Sequence, residues 1–497
     1  MSFAVSMQGI SKQYGTVQAL DKVTFEVEPG TIHALVGENG AGKTTLMKAL
    51  YGAMIPDQGE IIVGGQMVRL HNSADAIDNR IGMVSQHYGI IGELSNLENL
   101  VLGSEGMAVL NKAVMSAKAT LLAKSMGFEF DWNAESSTLS PAGGQKLEIL
   151  KLLWRESRIM ILDEPTAMLS PQDADALFVS LKKLASDGTT IIVVTHRIAE
   201  VFEHCNRVTV LRGGLKVADH HVSEVSPQQL AEEVVGGEVI ERPEPVSSAK
   251  STTRLKIDRL SVKGEKGEIA VKKVKLEVKT GQLVGIAGVD GNGQRELFHA
   301  LIGVASPLAG SFSFDGNQWD SEPSRTRIDE GLRVIPEDRH QEGIIEDWSL
   351  YQNSALGLQR LPAFKNLTKA MQTEAPIMAE MFSTKHGGLK NEVGSLSGGN
   401  QQRFVAGRAL RIDPQMILAF QPARGLDLNS TTKVYQEILR ACHEGACAIV
   451  VSFDLDELLD FCDRIVVMCN GELFEPKPEQ ARDRNAIGCL MVGAGLS

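Results

Sequence analysis

The chain has 497 residues, 43% of them hydrophobic, enough for several domains that each bury a core and too apolar for a disordered polymer. With 62 Asp and Glu against 50 Lys and Arg, the formal net charge of -12 offers nucleic acid no general attraction. Apolar runs stop at short blocks such as Ile191 to Val194, far below the roughly 18 to 20 residues of a spanning helix, so the chain is not expected to cross a membrane. Met1-Ser2-Phe3-Ala4 lacks a secretory pattern, and six scattered cysteines without C-x-x-C spacing read as reduced thiols, both pointing to the cytosol.

In chain order, Tyr14 is an aromatic that can stack on adenine or simply pack. A strand is predicted at Ile32 to Val36, followed by Gly37-Glu38-Asn39-Gly40-Ala41-Gly42-Lys43-Thr44-Thr45 and a helix-like stretch. This is G-x-x-x-x-G-K-S/T in its required context: glycines let backbone N–H groups converge on phosphates, Lys43 reaches the β- and γ-phosphates, and the Thr44 hydroxyl suits Mg²⁺. Gln86, after the strand-like Ile81 to Val84, is either an amide for metal or water or a plain surface glutamine. The strand Ile159 to Leu162 ends in Asp163, a candidate metal ligand, and Glu164, a candidate base for water. The strand Ile191 to Val194 leads to His196, a γ-phosphate contact or a structural histidine.

The same order of parts then recurs. Gly37 and Gly288 are 251 positions apart, and Leu139-Ser140 and Leu396-Ser397 are 257 apart. Strands are predicted again at Leu283 to Ala287, Met416 to Ala419 and Ala448 to Val451. Short apolar runs alternating with helical patterns imply an α/β fold with largely parallel sheets. The Pro/Ser-rich stretch 241–253 reads as a linker between domains at 1–240 and 254–497.

The order Tyr14, phosphate loop, Gln86, Leu139-Ser140, Asp163-Glu164, His196 resembles the ATP-binding cassette family, and Leu396-Ser397-Gly398-Gly399-Asn400-Gln401-Gln402-Arg403 resembles its signature string. The resemblance implies two tandem P-loop ATPase domains with mostly parallel sheets, helical subdomains and antiparallel β edges. Gly288 to Glu296 and Pro336-Glu337-Asp338-Arg339 are similar to the ATP-binding subunits of bacterial simple-sugar and nucleoside importers, and Gln421-Pro422 leans toward nucleosides.

The halves depart from the family pattern in complementary ways. In the second, Gln294 and Arg295 replace Lys43 and Thr44, Phe420-Gln421 replaces Asp163-Glu164, and Phe453 replaces His196. A charge about 4 Å from phosphate is worth roughly 4 kcal/mol at an effective dielectric near 20, so Gln294 forfeits binding unless Arg295 swings in. In the first half the ungapped register puts Pro141 and Ala142 where the signature has Gly398 and Gly399, and proline has no N–H to give a phosphate. The family sandwiches nucleotide between one domain's loop and its opposite partner's signature. That geometry implies one composite catalytic site, with Glu164, His196 and Gln86 as catalytic residues and Thr44, Gln86 and Asp163 on the metal. Tyr14, Gly37, Asn39, Gly40, Gly42, Lys43, Thr44 and Thr45 would bind ATP with Ser397, Gly398 and Gly399.

The implied cofactors are ATP and Mg²⁺, and the implied partners are transmembrane permease subunits, docked by roughly His87 to Leu110 and the counterpart after Glu337. An extracytoplasmic substrate-binding protein would join through the complex, at the cytoplasmic face of the membrane. A soluble tandem cassette acting on ribosomes or nucleic acid is the rival reading, disfavoured by the short linker, the defective second loop and the acid excess. A regulatory nucleotide sensor is a third, disfavoured by Glu164.

Overall fold

Runs of branched residues buried at every position form the centre of each half: Ile32–Val36, Ile159–Asp163 and Thr190–Val194 in the first, Leu283–Ala287, Met416–Phe420 and Cys447–Val451 in the second. Such continuous burial is what a parallel sheet covered on both faces requires, and no alternation of polar residues is needed. In the computed structural model all residues are described except 1–2, 16, 39, 86–88, 104–110, 140, 167–168, 170, 238–251, 265–266, 492 and 494–497, and the side chains at 141–142 and 171–172 are also outside the description.

The chain divides into two units, Met1–Val239 and Ile240–Ser497. In the first, six strands lie in the order Leu215–His221, Arg207–Arg212, Ile32–Val36, Thr190–Val194, Ile159–Asp163, Ile81–Val84. All neighbours are parallel except the outermost pair, Leu215–His221 with Arg207–Arg212. A four-stranded antiparallel sheet, Val17–Val27, Val5–Tyr14, Gln58–Val63 and Gln66–Val68, supplies the β edge. The second unit repeats both sheets, the six strands running from Leu332–Ile335 to Glu472–Phe474, antiparallel only at the last pair. Its first strand, Thr253–Lys263, opens on the last residue of the predicted linker.

Helical subdomains pack against these sheets. In the first unit Asn96–Val101, Lys112–Ser125 and Pro141–Trp154 share a core with Leu162, Leu177 and Val193. In the second, Leu367–Met381 and Gly398–Arg411 do the same around Phe404, Tyr435 and Val450. Pro141 and Gly398, 257 positions apart, each open a helix, so the two signature regions follow the ungapped register. Among the described residues no helix is long and apolar enough to cross a membrane.

A buried asparagine fixes the segment between sheet and helical subdomain in both units. Asn99, fully buried, accepts from Ile91 N at 3.0 Å and donates through Nδ2 to Ile91 O at 2.8 Å and Ser136 Oγ at 2.9 Å. Asn353 makes the same pair of bonds to Ile345, at 2.9 and 3.0 Å. An amide matches a backbone N–H and C=O together, which no apolar side chain can. Asn99→Leu leaves both Ile91 groups unpaired and is expected to cost about 2 kcal/mol, seen as a fall of roughly 4–8 °C in the first unit's thermal midpoint. An unchanged midpoint by calorimetry contradicts this role.

Candidate active site

The turn after Ile32–Val36 is shaped by glycines that nothing else can replace. A Cβ at Gly37 would stand 2.2 Å from Leu211 O, and one at Gly42, where φ is +102°, would stand 2.6 Å from Ala19 O. Gly40 is exposed, and Asn39 lies outside the described residues. Gly42 precedes the helix Lys43–Leu50, whose first N–H groups have no intrahelical acceptor and are therefore available to phosphate oxygens.

Lys43 is buried and folds back over this turn, its Nζ donating to Gly37 O at 2.6 Å and Glu38 O at 3.0 Å. Burial pushes its ammonium below the ordinary lysine value, against the pull of Glu164, Asp163 and Glu38. Thr44 is exposed, Thr45 half-buried, and the Thr44 hydroxyl donates to Asp163 Oδ2 at 3.5 Å. Asp163 ends its strand buried, so its carboxyl is pushed up to about 6 by burial and by Glu164, with Lys43 opposing. Glu164 follows with φ +49°, a left-handed conformation that a glutamate adopts only where its surroundings impose it. The imposition is visible: Glu164 N donates to Val194 O at 2.8 Å, and its Oε1 meets His196 Nδ1 at 3.0 Å. Burial raises the Glu164 carboxyl, but His196 and Lys43 outweigh it and hold the group below its ordinary value.

Lys43, Thr44, Asp163, Glu164 and His196 are thus gathered at the ends of three neighbouring parallel strands. Tyr14 ends the Val5–Tyr14 strand 49% exposed, with the Lys12 ammonium over its ring 5.7 Å from the centroid. Gln86 and Ser140 lie outside the described residues. Ser397, Gly398 and Gly399 lie in the second unit. Ser397 is exposed immediately before the helix Gly398–Arg411, its Oγ accepting from Asn400 Nδ2 at 2.8 Å, and a Cβ at Gly398 would come within 2.4 Å of Arg339 Nη2.

One residue that sequence reasoning missed anchors the His196 loop. Glu200, buried, accepts from Thr166 Oγ1 at 2.6 Å, Thr195 Oγ1 at 3.5 Å and Arg197 Nη1 at 3.3 Å. Its counterpart 257 positions on, Glu457, accepts from Ser452 Oγ and Tyr435 OH, each at 3.1 Å. A hydroxyl five residues before a glutamate, present in both halves, was the available signal.

In the second unit the loop keeps its shape without the charged side chains. Gln294 is buried and its Nε2 donates to Val289 O at 3.1 Å, repeating the Lys43 bond to Glu38. Arg295 is held by Glu337, with Nε and Nη2 each 2.8 Å from Oε2. Phe420 packs edge-on between Phe298, at 5.5 Å between centroids, and Phe453, at 5.8 Å.

A glycine-shaped phosphate loop with an inserted lysine, a strand-end acid pair and a carboxylate-bonded histidine define a P-loop ATPase, built here on a duplicated α/β fold. The sequence pattern of the family described as ABC transporter matches residues 20–167 and 271–423. The chain belongs to that family, and as a member it binds nucleotide and hydrolyses ATP to drive transport. It is 38% identical to Glucose import ATP-binding protein TsgD13 of Haloferax volcanii, over 98% of this chain and 96% of that one. It is 33% identical to Nucleoside import ATP-binding protein NupA of Lactococcus lactis subsp. cremoris, over 99% of each. A solved structure of RNase-L Inhibitor matches 97% of this chain and 93% of its own, with TM-score 0.63 and 19% identity, a likeness of fold alone.

The raised Asp163 carboxyl carries a stability cost with a definite sign. Because the folded value of about 6 exceeds the ordinary 3.8, the native state binds the proton more tightly, and that stability is lost as pH rises from 3.8 through 6. Ionised Asp163 then costs the nucleotide-free fold roughly 2–3 kcal/mol at pH 7.5. Asp163→Asn, which keeps an acceptor for Thr44, is expected to raise the thermal midpoint at pH 7.5 while abolishing ATP turnover, with the gain gone near pH 4. A variant less stable than the parent at pH 7.5 contradicts the assignment.

Proposed function

We propose that this chain is the ATP-hydrolysing subunit of an importer for nucleosides or simple sugars, working peripherally at the cytoplasmic face of the plasma membrane. The observation that carries the reading is the division of parts: a charged site in the first unit, its aromatic-filled copy in the second, and an intact signature helix only in the second. Relatives named for glucose and nucleoside import, aligned over nearly their whole length, support the cargo class.

In this reading Lys43 and the loop N–H groups take the β- and γ-phosphates, and Tyr14 stacks on adenine. The hard oxygens of Thr44 and Asp163, converging at 3.5 Å, suit Mg²⁺, with Gln86 as a further ligand. Magnesium, when bound, neutralises charge on the phosphate oxygens. Glu164 accepts the proton of the attacking water as the bond from the γ-phosphorus to the bridging oxygen of ADP breaks. His196, whose Nδ1 meets Glu164 Oε1 at 3.0 Å, orients this carboxylate and reaches toward the γ-phosphate. Ser397, Gly398 and Gly399 complete the phosphate shell from the signature side, making a single composite site.

Permease subunits would dock on the segment after Gln86 and on its counterpart after Glu337. Exposed Ile91, Leu102, Ile345 and Trp348 in those segments supply the apolar surface such a contact needs. The extracytoplasmic binding protein joins through the permease.

Turnover after single substitutions tests the division. Glu164→Gln is expected to lower ATP hydrolysis about 100-fold or more, Gln294→Ala to leave it essentially unchanged, and Gly399→Asp, in the other unit, to abolish it. Comparable residual activity in Glu164→Gln and Gln294→Ala, or full turnover in Gly399→Asp, contradicts the composite site.

A further inference from the structure

Away from the phosphate loop, at the far end of the helix that follows His196, the first unit carries a histidine whose polar atoms are unused. His204 ends the helix Ile198–His204 with its side chain 9% exposed and its ring stacked on Phe178 of the helix Pro171–Ser186, 4.1 Å between centroids and 17° between planes. The buried Nδ1 has no hydrogen-bond partner. Nε2 faces Asp175 Oδ1 at 4.0 Å and Glu203 Oε2 at 3.8 Å, both beyond hydrogen-bonding reach. The three ligand atoms lie within 4.8 Å of one another.

The duplicated unit shows that packing does not call for a histidine here. Phe461 occupies the place 257 positions on, stacked on Tyr435 at 4.3 Å and 7° in the same way, and is buried. A phenyl ring satisfies the stack with no polar atom to desolvate. His204 adds two ring nitrogens in the same setting with no hydrogen bond to compensate them, a cost that needs a return. Thr432 and Asp460 stand where Asp175 and Glu203 stand, so the second unit lacks both the imidazole and one of the carboxylates.

We propose that His204, Asp175 and Glu203 bind a divalent transition-metal ion of the zinc class, pinning the last turn of the His196-bearing segment's helix to its neighbour. One imidazole and two carboxylates are a common donor set for such ions, and tetrahedral bonds of about 2.1 Å put ligand atoms roughly 3.4 Å apart, a contraction of about half an ångström from the present distances of His204 Nε2 to the two carboxylates. Burial, first, holds the imidazole below its ordinary value despite Glu203, leaving it neutral and able to ligate. Lys182 is nearby, but its ammonium is committed to the carbonyl of Glu203 at 2.9 Å. The site is independent of the transport reading.

Cobalt(II), titrated into the full chain without nucleotide and followed by visible absorption, tests this. The parent is expected to give one ligand-field spectrum of nitrogen and oxygen character, and His204→Phe, which copies Phe461 and keeps the stack, to weaken that binding about 100-fold or more. Asp175→Asn should weaken it with the imidazole left in place. A spectrum that His204→Phe leaves intact, sulfur charge transfer in the near ultraviolet, or no binding below about 1 mM overturns the proposal.

Discussion

Burial of the Lys43 ammonium beneath the carbonyls of Gly37 and Glu38, facing the carboxylates of Asp163 and Glu164, is the constraint on which the first unit is built. A desolvated cation costs several kcal/mol unless its surroundings repay it, and a buried acid pair carries a like-charge cost of its own. The carbonyls repay part of the first, and Lys43 relieves part of the second. What remains is a cluster of buried charges of both signs at the strand ends, a setting that suits a triphosphate and a divalent ion. The left-handed turn at Glu164 and the hydrogen-bonded anchor at Glu200 recur at Gln421 and Glu457 in the second unit, so both belong to the fold and hold the loops at the strand ends in either unit.

The second unit faces the same backbone and resolves it by removing charge. Its loop glycines at 288, 291 and 293 have φ of +157°, +85° and +103°, against +154°, +82° and +102° at 37, 40 and 42. Gln294 retains one of the two lysine bonds, and Phe420, between two other aromatic rings, fills the place of Asp163 with surface that needs no counter-ion. Arg295 does not substitute for the lost lysine in this structure: its guanidinium is paired with Glu337, the residue standing where Gln86 stands in the first unit. The second unit thereby keeps the loop backbone without the Lys43 and Asp163 charges. The Ser397 to Gly399 string stays intact in the same unit.

The phosphate loop, the strand-end acids and the duplicated order were legible in the sequence because each rests on local rules: glycine freedom, strand burial and a fixed spacing. The central strands were readable to within a residue for the same reason. Other features depend on contacts between distant parts. The anchoring role of Glu200 rests on Thr166, thirty-four positions earlier, which donates to it. The Arg295 and Glu337 pair spans forty-two positions and had no local signature. Asn99 and Asn353 have no local mark in the sequence, yet each is fully buried on the backbone of a loop eight positions before it. The histidine at 204 was invisible for a different reason: only comparison with Phe461 in the fold shows that its nitrogens are surplus to packing.

Counting metal at the nucleotide sites tests the one-site division most directly. Manganese(II) replaces magnesium with similar oxygen ligands and is read by electron paramagnetic resonance, so ATP-dependent manganese per chain can be measured in a Glu164→Gln background that does not turn over. The expected result is one ATP-dependent manganese ion per chain, lost when Asp163 is replaced by asparagine. Two such ions per chain, or one that survives Asp163→Asn, would contradict it.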